Sequence, residues 1–131
     1  MRFEADNVPI EKLPRPAGWR ILIAPVKIEE QSKGGIVLID DSVKTQEYFR
    51  NIAKVVNMGH LCYTDPKFQG GIGLDKATPK PWCKIGDVIK YNSYTGQEVV
   101  INHDGEVNKL RVINDDEVIC VINDVSGLEV I

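Results

Sequence analysis

From Ile85 onward the chain is broken by turn signals at short, regular intervals, and this spacing limits the fold more than any other feature. Ile85-Gly86-Asp87 leads into Val88-Ile89-Lys90-Tyr91, and Tyr94-Thr95-Gly96 leads into Glu98-Val99-Val100-Ile101. Asp104-Gly105 then leads into Lys109-Leu110-Arg111-Val112-Ile113, and Asn114-Asp115-Asp116 into Val118-Ile119-Cys120-Val121-Ile122. Asp-Gly is a strong hairpin signal, because a two-residue hairpin turn of type I′ needs positive φ at both central positions. Short apolar segments at even spacing with turns between them predict an all-β barrel or sandwich. No segment has a convincing helical period.

The first half adds two strands and two irregular stretches. Residues 1–18 contain Pro9, Pro14, Pro16 and Gly18 and read as an extended lead-in. Trp19-Arg20-Ile21-Leu22-Ile23-Ala24-Pro25-Val26 is a strand in which Pro25, lacking a backbone donor, suits an edge position. Tyr48 to Met58 contains a second strand, Ile52-Ala53-Lys54-Val55-Val56, stopped by Gly59. Residues 60–83 are rich in turn residues, yet Tyr63, Phe68, Ile72 and Leu74 are interleaved, which predicts a compact excursion or twisted hairpin. Residues 123–131 form a short tail, and the whole chain is read as a single domain.

Between the first two strands lies Gly34-Gly35-Ile36-Val37-Leu38, set in polar surroundings from Glu29 to Gln46. The flanks are charged and poor in apolar residues, a composition that cannot bury enough surface to order itself. Two readings of the segment stand at this point. It is either a flexible loop (29–46) carrying an apolar plug for another protein's groove, or an edge strand with a Gly-Gly turn.

Size and charge narrow the function. A chain of 131 residues suits one domain with a moderate core. The net charge of −3 leaves no basic footprint for nucleic acid, and no apolar run approaches membrane-spanning length. Acidic residues stand near the start, where a signal peptide needs an apolar core, and the cysteines number three, an odd count. A reducing, cytoplasmic setting is the expectation.

Catalytic and metal chemistry find little support. His60, Cys62 and Cys83 lack the close ligand pairs of a zinc site, and a Cys62–Cys83 disulfide is disfavoured in a reducing compartment. Gly70-Gly71-Ile72-Gly73 completes neither a dinucleotide fingerprint nor a Walker motif. Asp40-Asp41 and Asp115-Asp116-Glu117 are adjacent in sequence and read as turn or surface clusters. The chain is expected to be no enzyme and to hold no metal or cofactor.

Taken in order, several blocks resemble the GroES-type co-chaperonins. Arg15-Pro16 with Trp19-Arg20-Ile21-Leu22-Ile23 resembles their opening strand, and Ser32-Lys33-Gly34-Gly35-Ile36-Val37-Leu38 resembles their mobile loop. Val55-Val56-Asn57-Met58-Gly59, Lys84-Ile85-Gly86-Asp87-Val88-Ile89 and Tyr94-Thr95-Gly96-Gln97-Glu98-Val99 are similar to the blocks that follow. Asp115 to Ile122 matches the closing strand. The 60–83 excursion stands where the family has its roof hairpin, and Tyr63 to Phe68 with Pro81-Trp82-Cys83 look more like the members encoded by bacteriophages.

The resemblance implies a small GroES-like β-barrel that assembles into a ring, by family habit a heptamer, as the lid of an ATP-driven GroEL-type chaperonin. ATP would then be bound by the partner and not by this chain. It implies that Ile36, Val37 and Leu38 enter the chaperonin's groove while Gly34-Gly35 makes the turn. It implies pairing of Arg20–Val26 with a neighbour's Val118–Ile122, and an unfolded client, extended by the bacteriophage likeness to a capsid protein in a host cytoplasm. Tyr94 matches a family aromatic that looks into the cavity, with a packed or turn-stabilising tyrosine as the alternative. Two rivals remain: a structural ring or virion component, and the GroES-like barrel of a dehydrogenase, whose nucleotide fingerprint is absent.

Overall fold

The computed structural model describes residues 3–27, 50–65 and 81–123. Six strands follow one another: β1 (Arg20–Pro25), β2 (Ile52–Met58), β3 (Val88–Tyr91), β4 (Gln97–His103), β5 (Glu106–Asn114) and β6 (Val118–Ile122). All pairings are antiparallel, and the order across the sheet is β4-β5-β1-β2-β3-β6. Among the described residues the helical pieces are single 3₁₀ turns at Ile10–Lys12 and Asp115–Glu117. The architecture is therefore the all-β one expected.

β1 is the pivot. Its run Ile21-Leu22-Ile23-Ala24 is wholly buried, which requires cover on both faces. Side chains alternate across a strand. Ile21 and Ile23 accordingly enter one cluster with Ala53, Val55, Ile89, Tyr91, Ile113 and Val118. Leu22 and Ala24 enter a second cluster on the opposite face with Leu110, Ala5 and Val8. Register shifts between Leu22 and Ile23 and between Lys90 and Tyr91 mark bulges, which bend a sheet and let it curl around the first cluster.

The second cluster changes the reading of the lead-in. Residues 1–18 were expected to be merely extended, but Ala5 and Val8 are buried and Phe3 and Leu13 pack beside them. Phe3 makes a β-bridge with Val26, and the Ala5 N–H donates to the buried Asn108 side chain at 3.0 Å. Prolines and turn residues kept the segment out of a regular element, yet its few apolar side chains fall where β1 and β5 need cover. Local pattern could not show this, because the β5 part of that surface is distant in sequence, Asn108 standing 103 residues from Ala5.

Two edge expectations need correction. Pro25 is not on an edge strand, since β1 runs between β5 and β2. Pro25 is tolerated because the β5 ladder has ended at Ile23–Arg111, and its carbonyl accepts the Glu4 N–H at 2.8 Å. For the same reason, Arg20–Val26 is not a strand open to a neighbouring subunit. Arg20–Ile23 is paired along β5, and Ile21–Pro25 along β2, leaving no free edge over most of its length. Among the described strands the unpaired outer edges belong to β4 and β6, so the Val118–Ile122 side of the expected contact keeps an open edge.

Two glycines act as the sequence suggested, each for a definite reason. Asp104 (φ 52°) and Gly105 (φ 79°) form the two-residue turn between β4 and β5, which brings His103 opposite Glu106. Gly59 follows the end of β2, and the position requires glycine because a β-carbon there would collide with the carbonyl of Gly18. That close approach lets Gly59 N–H reach the Arg20 carbonyl at 2.8 Å and Leu61 N–H reach the Gly18 carbonyl at 3.1 Å.

Candidate functional site

β1 and β2 run antiparallel between two ends of the molecule, and seven residues of strand separate those ends by roughly 20 Å. At one end the chain leaves the sheet at Lys27 and returns at Arg50; at the other it leaves β2 at Gly59 for the excursion. The expected binding residues Gly34, Gly35, Ile36, Val37 and Leu38 lie outside the described residues, as do 66–80 and the tail beyond Asn123. The described residues form the frame from which these segments depart.

The departure end is held by hydrogen bonds of several origins. Val26 N–H donates to the Ile52 carbonyl at 3.1 Å, which ties the outgoing chain to the returning one. Lys27 Nζ makes an ion pair with Glu106 beside the β4–β5 turn. On the returning side, Asn51 anchors the connection between β3 and β4. Its carbonyl accepts the Tyr91 N–H at 2.8 Å and its side chain accepts the Ser93 N–H at 3.1 Å.

Tyr94 stands on that connection. The turn is closed by Asn92, whose side-chain oxygen accepts the Tyr94 N–H at 2.9 Å and whose carbonyl accepts the Thr95 hydroxyl at 2.7 Å. The Tyr94 side chain is 92% exposed, so it is not packed, and the turn's hydrogen bonds are made by its neighbours and its own backbone. Tyr94 lines an open groove together with Val26, Arg50, Tyr91, Lys109 and Arg111, of which Val26 and Arg50 lie near the two roots of the 28–49 segment in the chain. Sequence reading singled out Tyr94 but missed Asn51 and Asn92, which present it. An Asn two residues before the turn's centre is a usable signal, whereas the Asn51 link is long-range.

The excursion end is buttoned into the core. Tyr63 is buried with φ 63°, its ring lies 5.7 Å from that of Trp82, and its hydroxyl lies 3.3 Å from the Cys83 sulfur. Its N–H donates to Asp115 at 2.9 Å. Asp115, grouped from sequence with turn and surface acids, is only 3% exposed, while Asp116 is exposed. Its carboxylate is tolerated inside because it accepts a backbone donor.

The cysteines are all free thiols. Burial, reinforced by the Asp115 charge, pushes the Cys62 thiol up to about 11, and burial raises Cys83 likewise. Burial and the Cys83 hydrogen bond raise the Tyr63 hydroxyl, and burial raises Tyr91. These shifts favour the protonated forms, the opposite of an activated nucleophile. Among the described residues no three His, Cys, Asp or Glu side chains are placed to hold a metal ion. Among the same residues no helix is long and apolar enough to cross a membrane.

Comparison with known proteins agrees with this frame. A model of the family described as "Chaperonin 10 Kd subunit" matches residues 14–122. A co-chaperonin GroES of Fusobacterium nucleatum subsp. polymorphum is 32% identical over 108 residues, covering 82% of this chain and 96% of the relative. A co-chaperonin GroES of Fusobacterium nucleatum subsp. nucleatum is 30% identical with the same coverage. One from Clostridium botulinum is 30% identical over 108 residues, 82% of this chain and 95% of the relative. Since the match runs through all six strands and across the roots of both excursions, the chain belongs to the chaperonin 10 Kd subunit family.

Proposed function

We propose that this protein is a co-chaperonin that assembles into a ring, seven-membered by family habit, and caps a GroEL-type, ATP-driven chaperonin. The observation that carries the reading is the family match over residues 14–122, which spans the Ser32 to Leu38 block that resembles a mobile loop. Ile36, Val37 and Leu38 enter the partner's apolar groove and Gly34-Gly35 makes the turn that lets them do so.

Magnitudes favour this over a rigid plug. Burying an Ile, Val or Leu side chain contributes about 1.5–3 kcal/mol, so the triplet supplies on the order of 4–9 kcal/mol. Ordering the segment costs roughly 2–5 kcal/mol. Near the middle of these ranges the difference is about 3 kcal/mol, so one loop binds at about millimolar strength. Several on one ring act together, since each bound loop raises the effective concentration of the next. Weak individual contacts allow the lid to leave when the chaperonin changes shape after hydrolysing ATP. Tyr94, exposed in the groove it lines with Val26 and Arg50, faces the enclosed client.

The test is to mix the protein with a bacterial chaperonin and ATP and score complex formation on a sizing column. Leu38→Asp is expected to abolish the complex while leaving the ring's elution unchanged. A Leu38→Asp ring that binds like the parent would refute the assignment of the triplet.

A further inference from the structure

We propose that residues Phe3–Asp6 and the tip of the β4–β5 hairpin form a collar that holds the chain at Val26–Lys27 and so sets how tightly the ring engages its chaperonin. The proposal rests on the reading that Ile36–Leu38 carries that engagement. Residues 3–13 lie before the part of the chain that the family model matches, which begins at residue 14. They are nevertheless built into the departure end of the sheet.

The collar closes from three directions. Phe3 bridges Val26, and Glu4 N–H donates to the Pro25 carbonyl at 2.8 Å. Ala5 N–H donates to Asn108 of the hairpin at 3.0 Å, and the Asn108 amide donates in turn to the Glu106 carbonyl at 3.2 Å. Glu106 then pairs with Lys27. Asp6, Lys27, His103 and Glu106 line one small, partly open cleft between the segment and the hairpin. Lys27 precedes the 29–46 loop in the chain with one residue between them, so the collar holds the backbone that leads into that loop.

The Lys27–Glu106 pair is semi-exposed at both partners, and such pairs contribute little to folding. Its consequence for binding is larger. A residue already held in place need not be ordered when the segment docks, and each one held is worth up to roughly tenfold in affinity. Even a twofold loss per segment compounds when several segments of one ring bind together, so four engaged segments give about sixteenfold.

The experiment uses the full-length ring, a bacterial chaperonin and ATP, with half-saturation read from the change in ATPase rate. Lys27→Glu and Glu106→Lys are each expected to weaken half-saturation about tenfold or more, with unchanged ring sedimentation and urea midpoint. The double variant Lys27→Glu with Glu106→Lys is expected to recover to within about threefold of the parent. Unchanged binding by the single variants overturns the collar. So does a double variant as weak as Lys27→Glu, because Lys27 would then touch the chaperonin directly. Leu38→Asp is run in parallel. If it binds normally, the loop reading has failed and the collar falls with it. If it abolishes binding while Lys27→Glu has no effect, the collar alone is wrong.

Discussion

Removing residues 1–9 should change what Leu110→Ala costs. Leu110 is fully buried in the second cluster, between Leu22 and Ala24 of β1 and the Ala5 and Val8 side chains above them. In the intact chain the truncation leaves a cavity in a packed site, for which Leu→Ala changes cost about 2–5 kcal/mol. Without residues 1–9 the cover is gone and Leu110 faces water on one side. The substitution then forfeits only part of a transfer energy, roughly 1 kcal/mol at about 0.8 kcal/mol per buried methylene. A double-mutant cycle should therefore show a coupling of about 1–4 kcal/mol between the segment and Leu110. The assay is urea unfolding of the four proteins at one fixed protomer concentration, because ring assembly makes apparent stability concentration-dependent. If Leu110→Ala costs the same with and without residues 1–9, the segment is not a layer of the core, and the account of β1 as a strand buried on both faces is wrong.

Further outcomes follow from single sites. Gly59→Ala should cost about 1–3 kcal/mol in urea unfolding, since its β-carbon must displace the Gly18 backbone; a neutral effect would remove the steric account of the Gly59–Gly18 approach. The Cys62 thiol is raised from 9.0 to about 11 in the folded chain, so it contributes stability that is fully present below pH 9 and is lost as pH rises through 11. Urea midpoints should fall across that window, and less steeply in Cys62→Ala; equal slopes would reject the assignment. Exposed Cys120 should react with a thiol reagent well before Cys62 and Cys83, read as one fast equivalent per chain in native conditions and three in urea. Tyr94→Ala should leave stability within about 0.5 kcal/mol of the parent because the ring is almost wholly exposed. Client refolding by that variant as efficient as the parent's would remove Tyr94 from the proposed client-facing role.

The strand plan was legible because it is local. Val88 to Tyr91 and Val118 to Ile122 occupy the predicted segments, and the Asp104-Gly105 turn lies where an Asp-Gly pair specifies it. Glu98 to Ile101 and Lys109 to Ile113 sit inside longer strands, because hairpin pairing extends both toward the turn. Of the site, Tyr94 could be picked out by likeness to a family, while the residues that hold its turn and the exit of the 28–49 segment could not. Lys27 with Glu106, and Ala5 with Asn108, are pairs 79 and 103 residues apart, beyond any periodicity.

Sequence alone determined the class of fold and the places of its strands along the chain, because branched side chains and turn residues act over a few positions. It also carried the family blocks from Arg15 to Ile122. Tertiary structure decided what covers what. The run Ile21 to Ala24 announces burial on two faces but not its second cover, and only the folded chain lays Ala5 and Val8 there. It likewise decided that Asp115 is an interior hydrogen-bond acceptor and Asp116 a surface acid, though both are aspartates in one turn. The physical reason is common to both cases: burial is a property of surfaces brought together from distant parts of the chain, and no short stretch contains its own partner.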